Sequence, residues 1–185
     1  MNLYFYGGSF DPPHLGHKEI INYFLDRCDQ LLIIPSFQSP LKSYTPISYY
    51  HRKRMLEMMF DDMSSKLEII DYENDNKIKY SFETVQFLKD KYPHCLLNMI
   101  LGVDQFNIID SWKNYEFILS NVNLLVISRP GYGYHSNDDN ITFFNNISID
   151  SSSQFIKNNI NELDRIKHML DKKVLEYIIK NNLYV

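Results

Sequence analysis

Cysteine is scarce in this chain of 185 residues: Cys28 and Cys95 are the only two, and they form no Cys-x-x-Cys. A pair so placed builds no disulfide framework, and two partly buried thiols in a reducing compartment are the expectation. A basic excess is missing too, since 19 Lys and Arg stand against 23 Asp and Glu for a net charge of −4. A nucleic-acid scaffold carries the opposite balance, so nucleic acid is not an expected partner. A local basic pocket for a small phosphate compound remains compatible with that charge. No apolar run approaches the ~18 residues of a membrane span, and no charged leader with a cleavage site precedes the first apolar run. The expectation is a cytoplasmic protein without a membrane partner. No interdomain linker, internal repeat or Gly-x-Gly-x-x-Gly is visible. Without that dinucleotide fingerprint, NAD is not expected as a bound redox cofactor.

What the chain does hold is enough apolar material for a core: 44% hydrophobic and 15% aromatic residues, the composition of a globular protein. A chain of this length buries about 70% of its unfolded surface, and one domain over residues 1–185 is expected, with 150–185 as a helical C-terminal part. Apolar runs alternate with helical spacings along it. Strands are expected at Leu3–Tyr6, Gln30–Pro35, Lys66–Asp71, Cys95–Leu101 and Asn123–Ser128, with a sixth at Ile141–Ile149. Their continuous rather than alternating apolarity suits a parallel sheet covered on both faces. Helices are expected from Glu19 to Leu25, from Ser48 to Phe60 with Ser48 as cap, from Tyr80 to Leu88 with Ser81 as N-cap, and through the tail from Asn161. Tyr72 to Lys79 reads as a polar connection. Such alternation defines an α/β, Rossmann-like, doubly wound parallel sheet.

The most informative stretch is Gly7-Gly8-Ser9-Phe10-Asp11-Pro12-Pro13-His14-Leu15-Gly16-His17. It joins the first strand to the first helix, where bare backbone N–H groups and the helix dipole favour an anion. Gly7 and Gly8 remove side chains where a phosphate must come close. His14 and His17 lie three apart, so on a helix they point to the same side. Two imidazoles beside an anion can stabilise charge developing during phosphoryl or nucleotidyl transfer. No third ligand at zinc-like spacing accompanies them. Further along, Gly102-Val103-Asp104 ends the fourth strand, where Asp104 can accept bonds from ribose hydroxyls. Arg129 can bind phosphate or carboxylate bidentately. Asp150-Ser151-Ser152-Ser153-Gln154-Phe155-Ile156-Lys157 offers serine hydroxyls and bare amides to anions. The basic run His51-Arg52-Lys53-Arg54 reads as a solvated face with no assigned role.

These motifs, in this order, resemble those of the bacterial nicotinate-nucleotide adenylyltransferases within the nucleotidyltransferase superfamily, and the resemblance covers nearly the whole chain. It implies the superfamily's His-x-Gly-His fold with a small helical C-terminal part. The implied activity is transfer of the adenylyl group of ATP to nicotinate mononucleotide, giving nicotinate adenine dinucleotide and pyrophosphate. The roles that follow are implications of the same resemblance. His14, His17 and Lys42 would be catalytic. Gly7, Gly8, Ser9, Phe10, His14, His17, Gly102, Asp104, Ser152, Ser153 and Lys157 would bind ATP. Gly8, Ser9, Ser81, Trp112 and Arg129 would bind the mononucleotide, with Trp112 stacked on the pyridine ring. Mg²⁺ would be bound through ATP phosphates and water, with no protein ligand.

The chain departs from the family pattern at Leu41, where relatives carry histidine before the lysine, and at Gln154 and Lys157, where they carry threonine and arginine. Two other readings stay open. One is pantetheine phosphate adenylyltransferase, which usually has threonine where His14 stands. The other is a non-catalytic nucleotide-binding sensor. Oligomeric state, a homo-oligomer included, is left open.

Overall fold

The computed structural model describes residues 1–38, 45–62, 64–128, 138–147 and 151–185. Six parallel strands form one sheet: β1 (Asn2–Gly8), β2 (Gln30–Pro35), β3 (Leu67–Ile69), β4 (Leu96–Gly102), β5 (Asn123–Ile127) and β6 (Ile141–Phe144). Their spatial order is β3-β2-β1-β4-β5-β6. β1 therefore sits in the middle, with Tyr6 opposite Ile33 of β2 and Ile100 of β4. The order reverses between β1 and β4, and in such sheets ligands bind outside the carboxyl ends at that point.

The pleat divides the apolar strand residues between two cores. Leu31 and Ile33 face one side, with α1 (Leu15–Leu25), α2 (Tyr49–Met59), α7 (Ser153–Asn158) and α9 (Lys172–Lys180) contributing Phe24, Met55, Ile156 and Ile178. Leu32 and Ile34 face the other, packed with Val85 and Leu88 of α4 (Ser81–Lys91) and Ile118 of α6 (Tyr115–Leu119). Both faces are thus covered, which is why the strands read as unbroken apolar runs. Shorter helical turns are α3 (Tyr72–Asp75), α5 (Val103–Phe106) and α8 (Leu163–Ile166).

The expected sheet is present, with local differences. The first helix starts at Leu15, four residues earlier than its apolar spacing suggests, so His14 becomes its N-cap. Tyr72–Asp75 forms a helical turn inside the expected connection. Tyr80, not Ser81, caps α4. Ser48 does precede α2, but its side chain makes no capping bond. Strand β6 ends at Phe144 and does not include residues 145–147, while the last two residues of the expected strand lie outside the described residues. No helix among the described residues is long and apolar enough to cross a membrane.

Candidate active site

β1 delivers Gly7 and Gly8 to the carboxyl edge of the sheet, and the chain then turns sharply into α1. A side chain at Gly8 would press on the Phe10 ring, since a Cβ there would lie 3.2 Å from the nearest ring carbon. Gly8 therefore makes room for Phe10, while a Cβ at Gly7 meets only Ile34 O, at 4.0 Å. Phe10 holds φ 49°, a left-handed backbone rare outside glycine. Its ring is 2% exposed and meets the His17 ring edge-on with centroids 5.0 Å apart.

His14 and His17 stack, with centroids 3.7 Å apart and planes 24° apart. The geometry differs from two histidines on one helix face: His14 is the cap and His17 the third helical residue. The His14 backbone N–H donates to His17 Nδ1 at 3.1 Å. That nitrogen accepts, so the neutral ring carries its proton on Nε2. Burial lowers the His14 pKa from 6.5 to about 4, which keeps this imidazole neutral at pH 7. Its Nδ1 is buried and, among the described residues, has no hydrogen-bond partner.

Behind the turn lies Arg52 of α2, 1% exposed. Its Nη1 donates to Ser9 O at 2.7 Å and its Nε to Ile47 O at 3.1 Å. This overturns the solvated-face expectation for the basic run. His51 meets the Tyr177 hydroxyl at 2.9 Å, and Lys53 pairs with Asp71 at 2.5 Å. Only Arg54, with its side chain 49% exposed, matches the expectation. A buried arginine needs its donors filled, and two of them go to the Ser9 and Ile47 carbonyls.

α7 closes the same locus. Ser152 caps it, its Oγ accepting from Phe155 N at 3.4 Å, and Ser153 Oγ donates to Pro12 O at 2.9 Å. Lys157 Nζ lies 3.0 Å from Asp11 Oδ2. Gly102 and Asp104 stand at the end of β4, beside β1, with Asp104 exposed on the first turn of α5.

A second locus lies between α4 and the segment after α5. Lys113 Nζ sits 4.4 Å from the Tyr80 ring centroid, so the chain neighbours of Trp112 and Ser81 meet there. Trp112 is half-buried, and its Nε1 is the other buried side-chain polar atom without a partner among the described residues. Thr84 donates to Glu73 Oε1 at 2.8 Å. Burial raises the Glu73 pKa from 4.5 to about 7, against the lowering effect of Thr84, the Phe37 N–H and Arg52.

The expected residues Gly7, Gly8, Ser9, Phe10, His14, His17, Ser153 and Lys157 thus gather around one turn, and Ser81 and Trp112 around another. Lys42 and Arg129 lie outside the described residues. Asp11, Arg52, Glu73 and Tyr184 were given no role from the sequence. Asp11 stood inside the quoted motif and Arg52 inside the basic run; nothing local marks Glu73 and Tyr184. Among the described residues, no three His, Cys, Asp or Glu side chains group as metal ligands.

A parallel sheet with an anion-ready, histidine-bearing turn at its topological switch point defines a nucleotide-binding α/β protein of the nucleotidyltransferase class. The cytidylyltransferase-like family model matches residues 5–179. A protein of Aliarcobacter butzleri named probable nicotinate-nucleotide adenylyltransferase is 36% identical over 86% of this chain and 88% of its own length. One of the same name from a Hydrogenobaculum strain is 32% identical over 100% of this chain and 98% of its own. The chain belongs to the cytidylyltransferase-like family and, within it, to the nicotinate-nucleotide adenylyltransferases. A solved Plasmodium falciparum nicotinic acid mononucleotide adenylyltransferase, complexed with NaAD, superposes with a TM-score of 0.86 at 22% identity. That match covers 99% of this chain and 97% of the other, and it bears on the fold.

Proposed function

We propose that this protein transfers the adenylyl group of ATP to nicotinate mononucleotide. The 5′-phosphate of the mononucleotide attacks the α-phosphorus of ATP. A new P–O–P bond forms, the bond to the β-phosphate breaks, and pyrophosphate leaves with nicotinate adenine dinucleotide as the other product. The attacking phosphate is anionic at neutral pH, so the reaction needs no general base. Catalysis is then positioning and charge stabilisation.

One observation carries this reading. Among the described residues, the two buried side-chain polar atoms without partners are His14 Nδ1 and Trp112 Nε1. One belongs to the proposed phosphate site and the other to the proposed pyridine site. A buried orphan polar atom costs about 1–3 kcal/mol, and a bound substrate that satisfies it recovers that cost.

His17, with its proton on Nε2, donates to the α-phosphate. Ser9, Phe10, Gly7 and Gly8 line the turn that cradles the phosphates, and Lys42, Ser152, Ser153 and Lys157 hold the leaving pyrophosphate. Gly102 and Asp104 take the ribose. Ser81, Trp112 and Arg129 hold the mononucleotide, with Gly8 and Ser9 at the boundary between the two substrates. Mg²⁺ fits as a passenger of ATP, since Asp11, the buried carboxylate of the turn, is committed to Lys157 and Tyr184. Bound to phosphate oxygens and water, it would neutralise charge on the leaving group.

The test is incubation of the purified chain with Mg-ATP and nicotinate mononucleotide, with products separated and weighed by mass spectrometry. Stoichiometric nicotinate adenine dinucleotide and pyrophosphate are expected. ATP binding without either product would leave a nucleotide sensor.

A further inference from the structure

Asp11 has no place among the ligand roles above, yet it is the most connected carboxylate of the site. It is 2% exposed. Oδ2 faces Lys157 Nζ at 3.0 Å, and Oδ1 accepts the Tyr184 hydroxyl at 3.0 Å and the Ile47 N–H at 3.4 Å. These partners lie 146, 173 and 36 positions away in sequence. Tyr184 is held at φ 68° and Phe10, beside Asp11, at φ 49°. Left-handed backbones at non-glycine residues persist only where the surroundings over-determine them.

We propose that Tyr184 is a positioning residue for the triphosphate: by holding Asp11 Oδ1, it leaves Oδ2 to aim the Lys157 ammonium at the phosphate turn. The need for such a device follows from the lysine. An arginine presents a rigid fork with built-in direction, whereas a lysine is a point charge on a flexible four-carbon stem. Its direction is set by what it is paired with, and here that partner is a buried carboxylate. An ammonium carries three donors, so a bond to Asp11 and a contact with a phosphate oxygen are compatible. Without the Tyr184 hydroxyl, Oδ1 keeps only the longer Ile47 contact. The carboxylate can then rotate and draw Lys157 with it. The inference rests on the reading of Lys157 as a phosphate contact.

A double-mutant cycle tests it: wild type, Tyr184→Phe, Lys157→Met and the double variant. Each is assayed for KM with ATP, KM with nicotinate mononucleotide, kcat and Tm. Tyr184→Phe deletes one hydroxyl and keeps the ring in its packing. The expected result is an ATP KM raised roughly tenfold by Tyr184→Phe, the scale of one lost bond to a charged group, with the mononucleotide KM unchanged. In the Lys157→Met background the same substitution should add nothing, because the two act through one path. Equal factors in both backgrounds overturn the proposal. So does a fall in Tm with unchanged kinetics, or a Lys157→Met variant with normal ATP affinity. If the wild type itself makes no product, the proposed function has failed separately. The cycle is then read as ATP affinity by calorimetry, with the same coupling expected.

Discussion

His14 and His17 sit one turn apart, with their rings in contact. His17 has its tautomer set by the His14 backbone N–H, so it presents a donor at Nε2. Removing a donor aimed at developing charge costs on the order of 3 kcal/mol. His17→Ala should therefore lower kcat at least about a hundredfold while circular dichroism and Tm stay near wild type. Turnover close to normal would remove His17 from the mechanism. His14 makes a pH prediction. Its pKa is lowered from 6.5 to about 4 by burial, so the unfolded chain takes up this proton before the native state does. Its neutral form is accommodated in full above pH 6.5, and stability is lost as pH falls from there towards 4. The loss is on the order of 3 kcal/mol at its full extent. In His14→Gln the fall in Tm across that window should be visibly shallower than in wild type. Parallel curves would contradict the assignment.

Elements are tied together at this site by buried charge as well as by apolar packing. Arg52 fastens α2 to the turn after β1 through Ser9 O, and bonds Ile47 O as well. Arg52→Met leaves both carbonyls without their donor, a loss of about 3 kcal/mol, and should lower the urea midpoint accordingly. Arg52→Lys should recover only part, because one ammonium does not reproduce the guanidinium fork. Full recovery would show that charge alone matters. Glu73 ties α3 to α4 through Thr84, and its pKa is raised from 4.5 to about 7 by burial. The unfolded chain releases this proton first, so stability falls as pH rises through that interval. Glu73→Gln should thus raise Tm relative to wild type at pH 8 and leave it nearly equal at pH 4.5. An equal difference at both pH values would contradict the shift. These ties were also where sequence reading fell short. The pattern of His51 to Arg54 is that of a polar helix face, and nothing local reveals that two of the carbonyls it serves lie at Ser9 and Ile47. Serine is the favoured cap, so Ser81 was expected to start α4. With Tyr80 stacked on Phe82 and Thr84 bonded to Glu73, the helix begins one residue sooner.

For the molecule as a whole, the sheet was legible because its strands are buried on both faces and so appear as unbroken apolar runs. The turn from Gly7 to His17 was legible because its residues are contiguous. The node at Asp11 was not, because its partners come from 36, 146 and 173 positions away, and only the doubly wound topology brings them to one edge. That edge joins the ends of β1 and β4, and in the proposed function the ATP phosphates lie at the first and the ribose at the second, with the pyridine ring at Trp112. The measurement that tests this most directly is pyrophosphate release from Mg-ATP with nicotinate mononucleotide, nicotinamide mononucleotide and phosphopantetheine offered separately. Rapid release with nicotinate mononucleotide and none with phosphopantetheine is expected. Release with phosphopantetheine alone, or with no acceptor of the three, would contradict it.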